Sequence, residues 1–361
     1  MTRDDELEVA RVVAKLDRGG AQLSMLRVAQ SLAARGVRTR LLVAHATPEG
    51  LLLAREHGCE PEVYGRAGNL QWRPDDGFAA WLGPRLAGVD AVHAHMFGAW
   101  WAAAQAVAEG QPLIASEHNA YHWPERDHSA EMRAALPRVD RFFAHGPGAR
   151  ATTLALGLSP ARLRTGISPV AGLDATPRGD LPAGCVVYAG RFDPDKAPDV
   201  FLDAMACLPG RPALMLGAGR MEPALRAQRA RLGLEERVAM PGWSRDPAPT
   251  IAAAAVLAIP SRDESFSQTA VLGMGLGVPV VGTDVDGFPG TLGDGRGVMV
   301  APDDPAALAA AVDAVLTGRL RVDAVAARRF AQRFAPERVA SVYEETYRAL
   351  TRPLDVAPVA V

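Results

Sequence analysis

The feature that most constrains this chain is a recurrence: short runs rich in Val, Ile and Leu alternate with Ala- and Arg-rich segments of helical period. Strands buried on both faces read as near-continuous apolar runs, so this alternation is that of parallel strands covered by helices on both sides. The first series predicts strands near 8–14, 37–44, 89–95, 112–116 and 140–145. A second series opens at CVVYAGR (185–191) and continues through ALMLGAG (213–219), RVAMPGW (237–243), VLAIPS (256–261), PVVGTDV (279–285) and GVMVAP (297–302). Between them LRTGISPVAGLDATPRGDLPAG (163–184) holds Gly and Pro with little periodicity, as an interdomain linker does. The expected fold class is α/β, with two tandem doubly wound, Rossmann-like parallel-sheet domains: the first over 1–168, a linker over 169–184, and the second from 185. A length of 361 residues suits two domains of ordinary size.

Composition excludes several partners. The chain is 48% hydrophobic and 22% charged, and its net charge of -2 leaves no basic footprint for nucleic acid. Cys59, Cys185 and Cys207 are odd in number and widely spaced, which gives neither a disulfide framework nor a zinc signature. The start MTRDDELEVARVV lacks the features of a signal peptide. The longest apolar stretch, Ile251 to Pro260, falls far short of the roughly 20 residues of a membrane span. A cytoplasmic protein without an integral membrane segment is expected. Within this average the halves differ: all eight His and five of the six Trp precede residue 150, and Lys occurs only at 15 and 196.

In open α/β sheets, ligands bind outside the carboxyl ends of the strands. The first strand ends in Lys15-Leu16-Asp17-Arg18-Gly19-Gly20-Ala21-Gln22, with a helix expected from Ala21. Two glycines let the backbone turn tightly, and the helix N-terminus offers N–H groups to an anion, although an ordinary strand-to-helix turn reads the same way. The dinucleotide spacing is missing here, and Gly219 in LGAGR begins no GxGxxG, which disfavours a nicotinamide enzyme. The second domain opens with Gly190-Arg191-Phe192-Asp193-Pro194-Asp195-Lys196. Two cations at a strand end suit a diphosphate leaving group, whose charge grows as the bond to the sugar breaks; solvated surface cations are the alternative. Asp193 and Asp195 mimic a metal-binding pair, but the flanking cations compete with a divalent ion, so no metal is expected. Further on, Glu264 stands just before a helix in PSRDESFSQT (260–269), where an acceptor beside exposed N–H donors suits sugar hydroxyls and phosphate together, or simply caps the helix.

The order GGAQ, GRFDPDK, LGAG, PGW and ESFSQTAVLGMGLGVPVVGTDVDGFPGTL closely resembles the family 4 retaining glycosyltransferases of the GT-B fold. The resemblance spans nearly the whole chain and is strongest over 185–305. It includes FAPERVASVYEETYRAL (334–350), which is similar to the family's terminal helix crossing back to the first domain, and so sets the second domain at 185–333 and a closing segment at 334–361. The resemblance implies a catalytic set of Arg191 and Lys196 on the donor's diphosphate, Glu264 on the transferred sugar, and His118 as the active-site His at the fifth strand. It implies donor contacts at Gly19, Gly20, Gly190, Gly219, Trp243, Ser265, Phe266, Ser267, Gln268, Thr269 and Leu272.

Leu272 departs from the pattern, because the family places there a second glutamate that accepts from the ribose hydroxyls. Losing a charge-assisted acceptor forfeits on the order of 1.5–3 kcal/mol unless a neighbour such as Gln268, one turn earlier on the same face, replaces it. Gly273, Gly275 and Gly277 follow, each costing roughly 1 kcal/mol in a helix interior, so the helix reads as altered and the donor or its ribose pocket as atypical. Thr165-Gly166 stands where the family more often has Asn-Gly.

In the first half, Val92-His93-Ala94-His95 ends a strand with both imidazoles on one face. Such a pair also opens the site of metal hydrolases, but those need His ligands from later strands and none follows residue 145. Hydrogen-bonded structural histidines are the other reading. The resemblance places His93, His95, Asn119 and Trp123 on the acceptor, where an indole face and N–H suit a sugar, an aminocyclitol or another small polar ring; Trp100 and Trp101 read equally well as core. Arg27, Arg35, Arg38 and Arg40 form a solvated face or, alternatively, support weak association with an anionic membrane surface. Lys15 and Lys196 are expected on loops facing an interdomain cleft.

The expected function is a retaining, metal-independent glycosyltransferase without a cofactor, whose partners are a nucleotide-diphosphate sugar and a small hydroxylated acceptor. The alternatives are a catalytically silent relative binding a sugar nucleotide or a partner enzyme, and a transferase for a lipid-linked or cell-envelope glycan.

Overall fold

The computed structural model describes residues 6–66, 70–118 and 127–352. Two compact units divide the chain, one of Met1–Pro169 with Pro336–Val361 and one of Val170–Ala335. In the first, strands β1 (Leu7–Leu16), β2 (Val37–Ala46), β3 (Pro61–Val63), β4 (Ala91–His95), β5 (Leu113–Glu117), β6 (Arg141–Ala144) and β7 (Leu163–Thr165) pair in parallel in the order β3-β2-β1-β4-β5-β6-β7. Helices α1 (Gly20–Ala33), α2 (Pro48–Glu56), α3 (Asp76–Leu86), α4 (Phe97–Ala106), α5 (Ser129–Ala135) and α6 (Pro147–Ala155) alternate with them. The second unit repeats the plan with β8 (Val186–Ala189), β9 (Ala213–Leu216), β10 (Val238–Gly242), β11 (Val256–Ile259), β12 (Val280–Thr283) and β13 (Val298–Val300), in the order β10-β9-β8-β11-β12-β13. Its helices are α7 (Pro198–Ala206), α8 (Glu222–Arg231), α9 (Ala248–Ala252), α10 (Gln268–Leu276), α11 (Phe288–Leu292), α12 (Pro305–Leu316) and α13 (Ala324–Ala331). Two doubly wound parallel sheets are thus present, as the strand pattern predicts. The central strands VVYA and VLAI are buried throughout, which is why they read as unbroken apolar runs.

Short side chains start several helices by accepting the first free N–H groups: Thr47 from Gly50, Asp75 from Phe78, Ser267 from Ala270 and Asp304 from Ala307. The last helix, α14 (Pro336–Thr351), belongs to the first unit. Its Val339, Ala340, Tyr343 and Tyr347 share one stripe and are buried with Val9, Val28, Leu32, Ile114 and Phe143.

The sequence reading missed β3 and β7, edge strands of three residues that are too short to show a period. Lys15 lies inside β1 and not on a loop, and its ammonium pairs with Asp17 at 2.6 Å. Residues 169–184 contain neither helix nor strand, yet they bond within the second unit: Val170 N–H donates to the Phe334 carbonyl (2.8 Å) and Arg178 N–H to that of Pro249 (3.0 Å). Among the described residues no helix is long and apolar enough to cross a membrane.

In each sheet the strand order reverses once, between β1 and β4 and between β8 and β11. The strand ends on either side of such a reversal leave a crevice for ligands. The GGAQ turn follows β1, GRFDPDK follows β8, and SRDESFS follows β11.

Candidate active site

In the second unit, two loops at the reversal are laced together. Tyr188, buried on β8, donates from its hydroxyl to the Arg191 carbonyl (2.8 Å) and reaches that of Lys196 (3.4 Å), which pins the loop after β8 from below. Burial foremost, then the carboxylates of Asp195 and Glu264, push this phenol well above its usual range. The Lys196 ammonium donates to the Asp263 carbonyl and to Glu264 Oε2, both at 3.0 Å. Ser261 Oγ donates to the same carboxylate oxygen at 3.3 Å. Glu264 is only 9% exposed, and these donors supply the hydrogen bonds its carboxylate needs. Ala197 completes the loop in the left-handed region (φ 46°, ψ 48°), a strained conformation for a residue with a Cβ.

Arg262 organises the crossing and was not singled out in the sequence. Its backbone N–H donates to the Asp195 carbonyl (2.8 Å), and its guanidinium reaches the Pro194 carbonyl (2.8 Å), Asp199 (2.7 Å) and Asp303 (2.6 Å). Its hydrogen bonds to Asp199, above all, raise its pKa, so it is a fixed cation. A lone Arg in a loop gives no such signal; Asp199 and Asp303 come to it only through the fold.

Gly190 and Gly219 mark close backbone approach. A Cβ on Gly219 would lie 2.6 Å from the Phe192 carbonyl oxygen, and one on Gly217 would lie 2.0 Å from that of Gly190. Gly287 donates to the Glu264 carbonyl (2.9 Å), and a Cβ there would lie 2.0 Å from the Ser265 carbonyl. Ser265, Gln268 and Thr269 are half-buried around the start of α10. Trp243 follows β10 and is 52% exposed. Ser267 is the α10 N-cap, and the Phe266 ring packs on Phe334 at 4.9 Å, so these two have structural work within the unit.

The cost assigned to the α10 glycines is corrected. Leu272 is 7% exposed, with Gly172 beside it. A Cβ on Gly273 would meet Leu257 at 2.6 Å and one on Gly275 would meet Leu173 at 2.4 Å, so both glycines let the helix sit close to its neighbours. Gly277 is not in the helix interior: it is the left-handed C-cap (φ 78°).

In the first unit, Gly19 is the N-cap of α1 and Gly20 its first residue, so the helix starts one residue before the expected Ala21. Beside them His95, His118, Lys15, Gln22, Met25 and Met96 line a pocket of about 10 Å³, close to the room of one water. Four imidazoles stack behind it. His93 and His95 lie 4.2 Å apart by ring centroid, His95 and His118 5.5 Å, and His118 and His145 4.1 Å. His95 Nδ1 and His118 Nε2 share a hydrogen bond of 3.2 Å. His95 Nε2 and His145 Nε2 are buried with no partner among the described residues. Burial pushes His118 down to about 4, and pushes His93, His95 and His145 well below the usual imidazole range. Gly166 lies flat under His145: a Cβ would come 2.2 Å from the ring.

His93 is corrected from an acceptor contact to a structural group. It is fully buried, with Nδ1 2.6 Å from Tyr347 Oη and Nε2 2.8 Å from Ser116 Oγ. Arg11, also buried, donates to the same phenol at 2.9 Å. A guanidinium only donates. The phenol therefore accepts from Arg11 and gives its own proton to His93 Nδ1, since otherwise that proton would be buried without an acceptor. This places the His93 proton on Nε2, facing Ser116. Trp100 is core, with Trp81 and Trp101 packed on it. Asn119 and Trp123 lie outside the described residues. Arg35, Arg38 and Arg40 are answered by Glu344 (2.5 Å), Glu6 (3.9 Å) and Glu8 (3.1 Å), which weakens the case for an anionic surface partner. Among the described residues no group of three or more His, Cys, Asp or Glu is arranged to hold a metal.

Comparison with known proteins fits this layout. Residues 18–165 match the family described as Glycosyltransferase Family 4, and residues 183–318 match that described as Glycosyl transferases group 1. The D-inositol 3-phosphate glycosyltransferase of Mycobacterium marinum is 40% identical over 174 residues, covering 46% of this chain and 36% of the relative. That of Mycolicibacterium gilvum is 34% identical over 237 residues, covering 61% and 49%. The match thus spans less than half the length of these relatives. Among solved structures, HepE of Anabaena in complex with UDP superposes with a TM-score of 0.79 at 20% identity, over 95% of this chain and 100% of that one. Sucrose-phosphate synthase of Thermosynechococcus elongatus gives 0.77 at 23%, over 96% and 99%. With both family domains present in order on two Rossmann-like sheets, the chain belongs to the family 4 glycosyltransferases of the GT-B fold.

Proposed function

We propose that this protein is a retaining, metal-independent glycosyltransferase that moves a sugar from a nucleotide-diphosphate donor to a small hydroxylated acceptor. The observation that carries the reading is the Lys196 ammonium held at 3.0 Å from the buried Glu264 carboxylate, at the strand-order reversal of the second sheet. Arg191 and Lys196 take the diphosphate and stabilise the charge that develops as it leaves. Glu264 accepts from a hydroxyl of the transferred sugar and fixes its orientation. The acceptor hydroxyl attacks on the face from which the diphosphate departs, and its proton passes to the departing phosphate oxygen, so no enzymatic nucleophile is required. His118, neutral at working pH, binds and polarises without serving as a base. Neighbouring folds are seen with UDP and with UDP-glucose, which makes uridine nucleotides the first donors to try.

The test is release of nucleoside diphosphate from a panel of nucleotide sugars, with and without polyol and sugar acceptors. Lys196→Ala should slow release by roughly a hundredfold or more while the thermal unfolding of the chain persists. Unchanged release would defeat the assignment.

A further inference from the structure

Six charged side chains around the loop after β8 alternate in sign along one line. Arg220 lies 3.7 Å from Asp193, and Asp193 also pairs with Arg191. Arg191 lies 2.7 Å from Asp195, Asp195 3.5 Å from Lys196, and Lys196 3.0 Å from Glu264. Three cations thus face three carboxylates, and the line carries no net charge. The side chain of Arg191 is 51% exposed, while those of Asp193 and Asp195 are 19% and 35% exposed. The cations assigned to the diphosphate are already answered before any phosphate arrives. Glu264 has its own use on the sugar, and its backbone holds the neighbouring turn. The Asp195 carboxylate bonds only to Arg191 and Lys196 among the described residues, and that of Asp193 to Arg191 and Arg220.

We infer that Asp193 and Asp195 are affinity-setting counter-ions, which the donor's diphosphate displaces from Arg191 and Lys196 and which return to them as the nucleoside diphosphate product leaves. This rests on the reading of Arg191 and Lys196 as the diphosphate cations. The physical reason is competition. A diphosphate and a carboxylate seek the same N–H donors, so part of the attraction between phosphate and cation is offset by breaking the resting pairs. A carboxylate waiting beside the cation also spares it exposure without a partner when product departs, which favours release. In the sequence this pair mimics a metal-binding motif, but its oxygens here face cations on both sides.

The test runs in an uncommon direction, because removing groups from a binding site is expected to tighten it. UDP, GDP, ADP and inorganic pyrophosphate are titrated calorimetrically into the wild-type chain, Asp193→Asn, Asp195→Asn and the double variant, with uridine as the uncharged control. Each single substitution should tighten diphosphate binding by about threefold to fivefold, the scale of an exposed ion pair, and the double variant by more. Uridine should be indifferent to all of them. Unchanged or weaker diphosphate binding in the variants, with wild-type binding intact, overturns the counter-ion role and leaves the diphosphate site standing. Failure of the wild type and all variants to bind any diphosphate overturns both.

Discussion

Tyr347→Phe removes one oxygen atom from the core of the first unit and leaves two buried partners unanswered. The phenol accepts from Arg11 (2.9 Å) and donates to His93 (2.6 Å), and all three side chains are buried. A hydrogen bond from a charged donor contributes about 1.5–3 kcal/mol, and a buried imidazole nitrogen left without a donor costs about 1–2 kcal/mol more. Arg11 is poorly placed to compensate, since its Nε already lacks a partner among the described residues. The expected loss is about 3–4 kcal/mol, or roughly 10 °C in a domain of this size. Five of the six Trp precede residue 150, so Trp emission reports this unit's unfolding in urea or heat. Arg11→Met on its own should also destabilise, but the double variant should lose about 1–2 kcal/mol less than the two singles together, because no buried charge is then stranded. A loss below about 1 kcal/mol for Tyr347→Phe, or strict additivity with Arg11→Met, would refute the hydrogen-bond chain and with it the tautomer assigned to His93.

Two further outcomes follow from buried groups. His93, His95 and His145 have depressed pKa values, chiefly through burial. Below pH 6.5 the unfolded chain therefore binds protons that the folded unit refuses, and stability falls as pH drops; His118, pushed down to about 4, alone accounts for about 2 kcal/mol of that loss at pH 5. Urea midpoints followed by Trp emission at pH 7.5, 6 and 5 check this, and a flat profile would contradict it. Leu272→Glu, which restores the family's residue, puts a carboxylate in an apolar site and should lower the second unit's stability by about 2–4 kcal/mol without tightening UDP binding. Tighter binding with unchanged stability would mean that this position faces the ligand.

The positions of the candidate-site loops were legible because turn residues and charges gather where parallel strands end. What the alternation could not convey was depth. A period of two puts His93 and His95 on one face of β4, but only α14, arriving from residues 336–351, decides that Tyr347 covers His93 while His95 reaches the pocket. The same limit explains Arg262, whose partners lie 63 and 41 residues away. It explains the glycines of α10 too: counted as helix costs, Gly273 and Gly275 argue for disruption, yet Leu257 and Leu173 occupy the volumes their side chains would need. Propensity sums one helix at a time, whereas close approach is a property of two elements.

On the proposed function the two units answer opposite electrostatic demands, and this gives the uneven placement of His and Lys a physical basis. An attacking hydroxyl needs groups that accept and donate hydrogen bonds without fixing a charge beside it; imidazoles kept neutral by burial supply this across the useful pH range. A departing diphosphate needs cations, which Arg and Lys supply. A histidine beside Arg191 or Lys196 would be a cation whose strength changed with pH. A lysine among His93, His95, His118 and His145 would add to the buried charge of Arg11, and the one beside their pocket, Lys15, is paired with Asp17. Acid should therefore first weaken the unit that carries the buried imidazoles.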